Sequence, residues 1–406
     1  MLKSKSLTGI SLIMVVMLTL ILAGCGTTTT PGSVKNDTAK SGNQTSGRDE
    51  KSIKVGVIGA FSGPMAEAGV PMRTAVELAA KEINDAGGIE GRMIELVAYD
   101  DEANTSKNTT LAKRAIDTDK VVALISGTSS GTGIATAKVS NEMQVPMITP
   151  VAQSPEVMQP YSPYVFRVTV TNPVDVDRLL KYAKEKNWKK IAVVHDTGAY
   201  GLSGEKILKA AIPAAGLELV ANVGHKAGST DLTAQVLEVK AANPDVILEW
   251  NMGADAAQFA KTMKSLGVKV PILAGRGLIF KVYTDSGKDA VEGTVATGAL
   301  DFTRPDVQEW KEKYLQAGGS DGGYDFAAAG YDAMNVMGEA LKKGGAANAD
   351  DPQKVRDAIE SITGFKSLCG YSGSAFNFAP NQHEGSSITG SVLQSVQNGK
   401  WVPLPR

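Results

Sequence analysis

Short apolar runs recur along this chain, each followed by a helical stretch, and that rhythm limits the fold more than any other feature. Residues 53–60 (IKVGVIGA), 121–126 (VVALIS), 190–195 (KIAVVH) and 246–250 (VILEW) carry few polar side chains. A run apolar on both faces suits a strand buried on both sides, and such strands belong to parallel sheets covered by helices. Further strands are expected at 94–99, 145–149, 218–223 and 270–274, with extended segments at 165–170 and 291–300. Between them lie stretches of helical period. Pro71 is expected to open the first; Met72, Ala75, Ala79 and Ile83 share its face, and Gly87-Gly88 stop it. Others fall near Leu111 and Ala115 and at 132–143, 173–186, 204–214, 232–242 and 254–266. The class is therefore α/β with doubly wound, Rossmann-like sheets. One sheet would need more than about ten strands, so two lobes are expected.

The chain then changes character. Helical stretches at 305–317, 325–343 and 352–362 follow one another without strong strands, and Asn398-Gly399 between apolar runs signals a closing hairpin. With 42 basic and 43 acidic residues there is no electrostatic footprint for nucleic acid, and no such partner is expected. Two cysteines and three histidines are too few for a disulfide scaffold or a His/Cys metal cluster, so neither a metal nor a cofactor is expected.

The N-terminus reads as an address. Lys3 and Lys5 precede a 14-residue apolar run, 10–23, too short to span a bilayer, which needs about 20 residues. It ends in Leu22-Ala23-Gly24-Cys25, which resembles a bacterial lipobox and implies acylation of Cys25. Residues 1–24 are then a signal peptide. Residues 25–50, rich in Thr, Ser, Gly and Asn, form a flexible tether holding the body outside the cytoplasmic membrane. Cys369 is left without a disulfide partner, and is expected to be a small core or surface thiol.

In open α/β sheets ligands sit past the carboxyl ends of strands, at a topological switch point. The densest such segment is Gly127-Thr128-Ser129-Ser130-Gly131-Thr132, a turn of small residues and hydroxyls leading into a helix. Free N–H groups at a helix start favour an anion such as a carboxylate. An ordinary N-cap is the plainer reading. Gly127-x-Ser129-x-Gly131 also matches a nucleophile elbow, which would make Ser129 a nucleophile with His383 as base in a membrane-anchored hydrolase. Against this, there is no HGGG-type oxyanion stretch, and His383 lies in a polar turn. His195 and His225, at or just past strand ends, read as structural histidines.

Several stretches together resemble the type I periplasmic binding proteins of the branched-chain amino-acid class, the solute receptors of ABC importers. They are Ser62-Gly63-Pro64 with Gly69, Glu82-Ile83-Asn84 with Gly87-Gly88-Ile89, Asp100-Asp101, the Ser129-Ser130 turn, Thr149-Pro150, and His195-Asp196 with Tyr200-Gly201. The likeness covers roughly 53–401. It implies two lobes joined by a three-strand hinge, closing over a ligand and then docking on ABC permease and ATPase subunits. Lobe 1 would be 51–170 plus 300–363, and lobe 2 would be 171–299 plus 364–406.

The resemblance also implies site residues. Ser129, Ser130 and Thr132 would take the ligand's carboxylate, with Ala152 and Gln153 beside them, while Tyr200 closes over it and Asn251 stands at a second lobe 2 position. Two departures bear on the ligand. Arg276 falls where an acid would pair with an α-ammonium, and Ala68 replaces an aromatic residue, which would enlarge the pocket. A carboxylate lacking an α-ammonium, such as an aromatic or keto acid, then becomes the alternative to an amino acid. The other reading of Arg276 is an ion pair with Glu249, which lies in the otherwise apolar strand 246–250.

Overall fold

A computed structural model describes residues 52–405. The leader, Cys25 and nearly all of the tether lie outside the described residues. Lobe 1 begins with strand β1 (Ile53–Gly59), helix α1 (Ala66–Asp85), β2 (Ile94–Asp100), α2 (Thr105–Asp117), β3 (Ala123–Ser126), α3 (Ser130–Met143), β4 (Met147–Thr149) and β5 (Val165–Arg167). All five strands pair in parallel, in the order β2-β1-β3-β4-β5. The central strands β3 and β4 are buried along their whole length, whereas the edge strand β2 is mostly half-exposed. This explains why the interior runs were continuous and the edge run mixed.

Pro71 does not open α1. The helix starts five residues earlier, and Pro71 sits inside it. The chain enters through a 3₁₀ turn at Gly63–Met65, and Gly69 then lies so close to the end of β1 that an added Cβ would stand 1.9 Å from the Ala60 carbonyl oxygen. That contact fixes where the helix begins.

Lobe 2 contains α4 (Asn172–Glu185), β6 (Lys190–Asp196), α5 (Ala199–Ala214), β7 (Glu218–His225), α6 (Thr233–Ala242), β8 (Val246–Trp250), α7 (Gly253–Ser265), β9 (Ile272–Ala274), α8 (Lys281–Gly287) and β10 (Val295–Gly298). The chain returns to lobe 1 with α9 (Pro305–Gln316), α10 (Tyr324–Gly344), α11 (Pro352–Glu360) and the small pair β11 (Phe365–Lys366) and β12 (Ala375–Phe376). It ends in lobe 2 as β13 (Val392–Gln397) and β14 (Lys400–Pro403), turning through Asn398 and Gly399, both at positive φ. The second sheet runs β14-β13-β10-β9-β8-β6-β7, with only β13 and β14 antiparallel to their neighbours.

The last return lies later than the expected break after residue 363. Phe376 and Phe378 are buried in one core with Ile53, Val55, Met337 and Phe166, so 364–378 belongs with the five-stranded sheet. The chain leaves that sheet beside the first crossover, where Gly385 N–H donates to the Arg167 carbonyl. Three segments thus join the lobes, near 168–171, 299–304 and 384–391.

Candidate ligand cleft

Each sheet reverses its winding once: between β1 and β3 in lobe 1, and between β6 and β8 in lobe 2. The carboxyl ends at both switch points border one small cavity with a free volume of about 30 Å³, well below the roughly 300–1,000 Å³ usual for small-ligand sites.

Lobe 1 contributes Thr128, Ser129 and Ser130 after β3, Val151 and Gln153 after β4, and Met65 after β1. Local sequence shapes the turn. Gly127 takes φ +97°, and Ser129 caps α3 by accepting from Thr132 N–H at 3.2 Å while Thr132 Oγ1 accepts from Ser129 N–H at 3.2 Å. This reciprocal box satisfies two N–H groups at the helix start. Thr128 Oγ1 accepts from Ala60 N–H at 3.2 Å, tying β3's turn to the end of β1. Gln153 Nε2 donates to the Val170 carbonyl at 3.2 Å and to Asp175 at 2.7 Å, so a cavity residue is bonded directly to the first crossover.

Lobe 2 contributes Tyr200 after β6, Met252 after β8, and Arg276, Gly277 and Phe280 after β9. Tyr200 stacks on Trp250 at 5.6 Å between centroids, and its oxygen accepts from Gly277 N–H at 3.1 Å. Gly277 must be glycine here, because a Cβ would stand 2.1 Å from the Asn251 carbonyl oxygen. Burial, with the Asp175 charge behind it, raises the Tyr200 hydroxyl far above the ordinary phenol range, so it stays a proton donor. Among the described residues, Arg276 is the only charged one lining the cavity, and no carboxylate does.

Five of the expected site residues therefore line one cavity: Ser129, Ser130, Gln153, Tyr200 and Arg276. Three do not. Thr132 is fully buried in the capping box. Ala152 is buried too; its methyl packs against Gly133, and its carbonyl accepts from Arg167 Nη1 at 2.9 Å. Asn251 points into the sheet and donates to Glu249 at 2.8 Å, leaving Met252 on the cavity.

That same bond removes the expected Arg276–Glu249 pair. Glu249 is met by its neighbour two residues on, which shares its face of the strand. Burial pushes its pKa up to about 8 against the pull of Asn251, so it is mostly protonated at neutral pH and needs no cation. Ala68 opens no extra room, since it is buried against Met65, Phe280 and Phe326. The two phenylalanines meet across the lobes at 4.9 Å between centroids. Sequence reasoning missed both; they lie 46 positions apart in different lobes, and neither sits in a motif.

The hydrolase arrangement is absent. His383 stacks on Phe166 at 4.0 Å, faces the Val165 carbonyl at 3.0 Å, and bonds Glu360 at 3.0 Å and Tyr161 at 3.1 Å. Ser129 Oγ is engaged by Thr132. Nucleophile and base therefore have separate partners.

The lobes also touch around the cavity. The Glu67 carboxylate of α1 accepts from the N–H groups of Lys281 and Val282, the latter at 3.1 Å, and burial raises its pKa against that pull. A second contact between the lobes is the Ser203 Oγ donation to Glu156 at 3.1 Å.

The sequence profile of the periplasmic binding protein family matches residues 52–390. The Leu/Ile/Val-binding protein homolog 3 of Brucella melitensis is 28% identical, the match covering 76% of this chain and 83% of that one. A leucine-, isoleucine-, valine-, threonine- and alanine-binding protein of Pseudomonas aeruginosa is 27% identical over 77% of this chain and 83% of its own. Among solved structures, a type 1 periplasmic binding protein from Bordetella pertussis superposes with TM-score 0.80 at 28% identity, covering 88% of this chain and all of that one. A leucine-binding protein from Thermotoga maritima superposes with TM-score 0.78 at 24% identity, covering 87% and 98%.

Proposed function

From the premise that the chain belongs to the periplasmic binding protein family, we propose that it is the substrate-binding subunit of an ABC importer for a small carboxylate solute of the branched-chain amino-acid kind. It is a receptor, not an enzyme. The observation that carries the ligand class is the meeting of the capped α3 turn, with Ser129 and Ser130, and the Tyr200 and Arg276 donors around one cavity. Donors on both sides suit a carboxylate, and Met65, Val151, Met252 and the phenylalanines suit an apolar body. Closure around the ligand presents the joined face of both lobes to the permease. The relatives' names for what they bind support the amino-acid reading.

The test is a thermal-shift series with leucine, isoleucine and valine on the purified protein. Ligand at a hundred times its Kd contributes about 2.7 kcal/mol, enough to raise Tm by several degrees. No shift with any amino acid would overturn the reading. A second reading keeps the receptor role and changes the ligand to a 2-oxo or aromatic acid. It is favoured by one observation: the cavity lining holds the Arg276 cation and no carboxylate to pair with an ammonium. In the same series, 4-methyl-2-oxopentanoate or benzoate would then stabilise more than leucine.

The leader of residues 1–24, ending just before Cys25, supports lipid anchoring to a membrane outside the cytoplasm. Cys25→Ala would then move the protein from the membrane fraction to the soluble one.

A further inference from the structure

Arg276 does more than border the cavity. Its side chain is almost fully buried, and its guanidinium touches two of the three segments that join the lobes and the β10 residue from which the other departs. Nη1 donates to Thr169 Oγ1 of the first crossover at 3.0 Å. Nη2 donates to the Gly298 carbonyl, where the second crossover begins, at 3.0 Å, and to the Gly390 carbonyl of the third at 3.3 Å. Asp175 Oδ1 lies 3.9 Å from Nη2 and accepts from Ser391 Oγ at 2.6 Å. The second crossover is held from the other lobe by Asp325, which accepts from the N–H groups of Ala299 and Leu300. These bonds use three of the five guanidinium N–H groups, and of the other two, Nε–H is buried with no acceptor among the described residues. The residue that lines the cavity is thus the one that ties the crossovers together, with Nε–H still unengaged.

We propose that Arg276 is a positioning residue that couples the cavity to the hinge: an anion at Nε–H fixes the guanidinium plane, and that plane fixes the three crossovers. The planar fork matters as much as the charge, since an ammonium cannot hold three acceptors in one plane while facing a ligand. This rests on the receptor reading above but not on which carboxylate is bound.

The test uses the whole protein with leucine and 4-methyl-2-oxopentanoate as probes, measuring affinity and the ligand-induced fall in radius of gyration by small-angle scattering. Arg276→Lys keeps the charge. It should weaken binding roughly 10- to 100-fold and, at saturating probe, contract less than the wild type. Thr169→Val leaves the cavity lining untouched. It removes one charge-assisted bond and should weaken binding about tenfold, with Thr169→Ser restoring it. In the double variant the losses should fall short of their product, because both act through one guanidinium. Full contraction of Arg276→Lys at saturation, or independent losses, would overturn the coupling. If the wild type binds neither probe, it is the ligand class that fails. The coupling is then read on the ligand-free proteins, where Arg276→Lys should have the larger radius; equal radii would overturn it.

Discussion

The two sides of the cleft are built differently. Lobe 1 offers a backbone turn: Gly127 to Thr132 are consecutive residues whose caps satisfy one another. Lobe 2 offers side chains from three separate strand ends, Tyr200, Met252 and Arg276, each held by a long-range contact. Under the proposed function, a turn of this kind would accept the feature shared by all ligands of a class, a carboxylate, whereas separate strand ends can be exchanged one at a time. We propose that lobe 1 recognises the common group and lobe 2 discriminates between ligands.

The sharpest way to break that division is Tyr200→Ala. The ring fills the space between Trp250 and the cavity and should cost about 3–5 kcal/mol of stability, seen as a lower denaturant midpoint in a lobe 2 transition. An equal loss in lobe 1 would show that the lobes are not separable. Next is pH. Burial holds the Glu249 carboxyl up at about 8, against about 4.5 for an exposed glutamate. The folded state therefore binds the extra proton, and stability falls as pH rises from about 4.5 to 8, by a few kcal/mol in all. Glu249→Gln should flatten that stretch of the Tm-against-pH curve; an unchanged slope would move the effect elsewhere.

Ser129→Ala removes the cap of α3 and should cost about 1 kcal/mol while weakening leucine and its oxo acid by the same factor. Unequal factors would mean that lobe 1 discriminates after all. The smallest effect is expected from Glu67→Gln. It keeps one acceptor for the Val282 N–H and loses the charge, so calorimetry should find binding weakened only a few-fold.

What was legible in the sequence divides along the same line. The strands could be read because β3, β4 and β8 are buried on both faces and tolerate few polar residues. The Ser129 turn could be read because its geometry is local. Pro71 misled, because the close contact of Gly69 with Ala60 sets the helix start, and that contact is tertiary. Asn251 was preferred over Met252 because strand-end position was known and side-chain direction was not. The period of two, applied to Glu249, would have paired Glu249 with Asn251 and freed Arg276.

The three crossovers also govern how such a chain can be assembled. Lobe 1's core waits for α10 and Phe376, which follow all of α4 to β10, and lobe 2's sheet waits for β13, which follows both. Neither lobe can be finished from an uninterrupted stretch of chain. A nascent or partly threaded polypeptide therefore holds two incomplete sheets with open edges at once. Residues 392–403 close the second of them, so a truncation that removes β13 and β14 should harm folding more than the loss of an equally short surface loop.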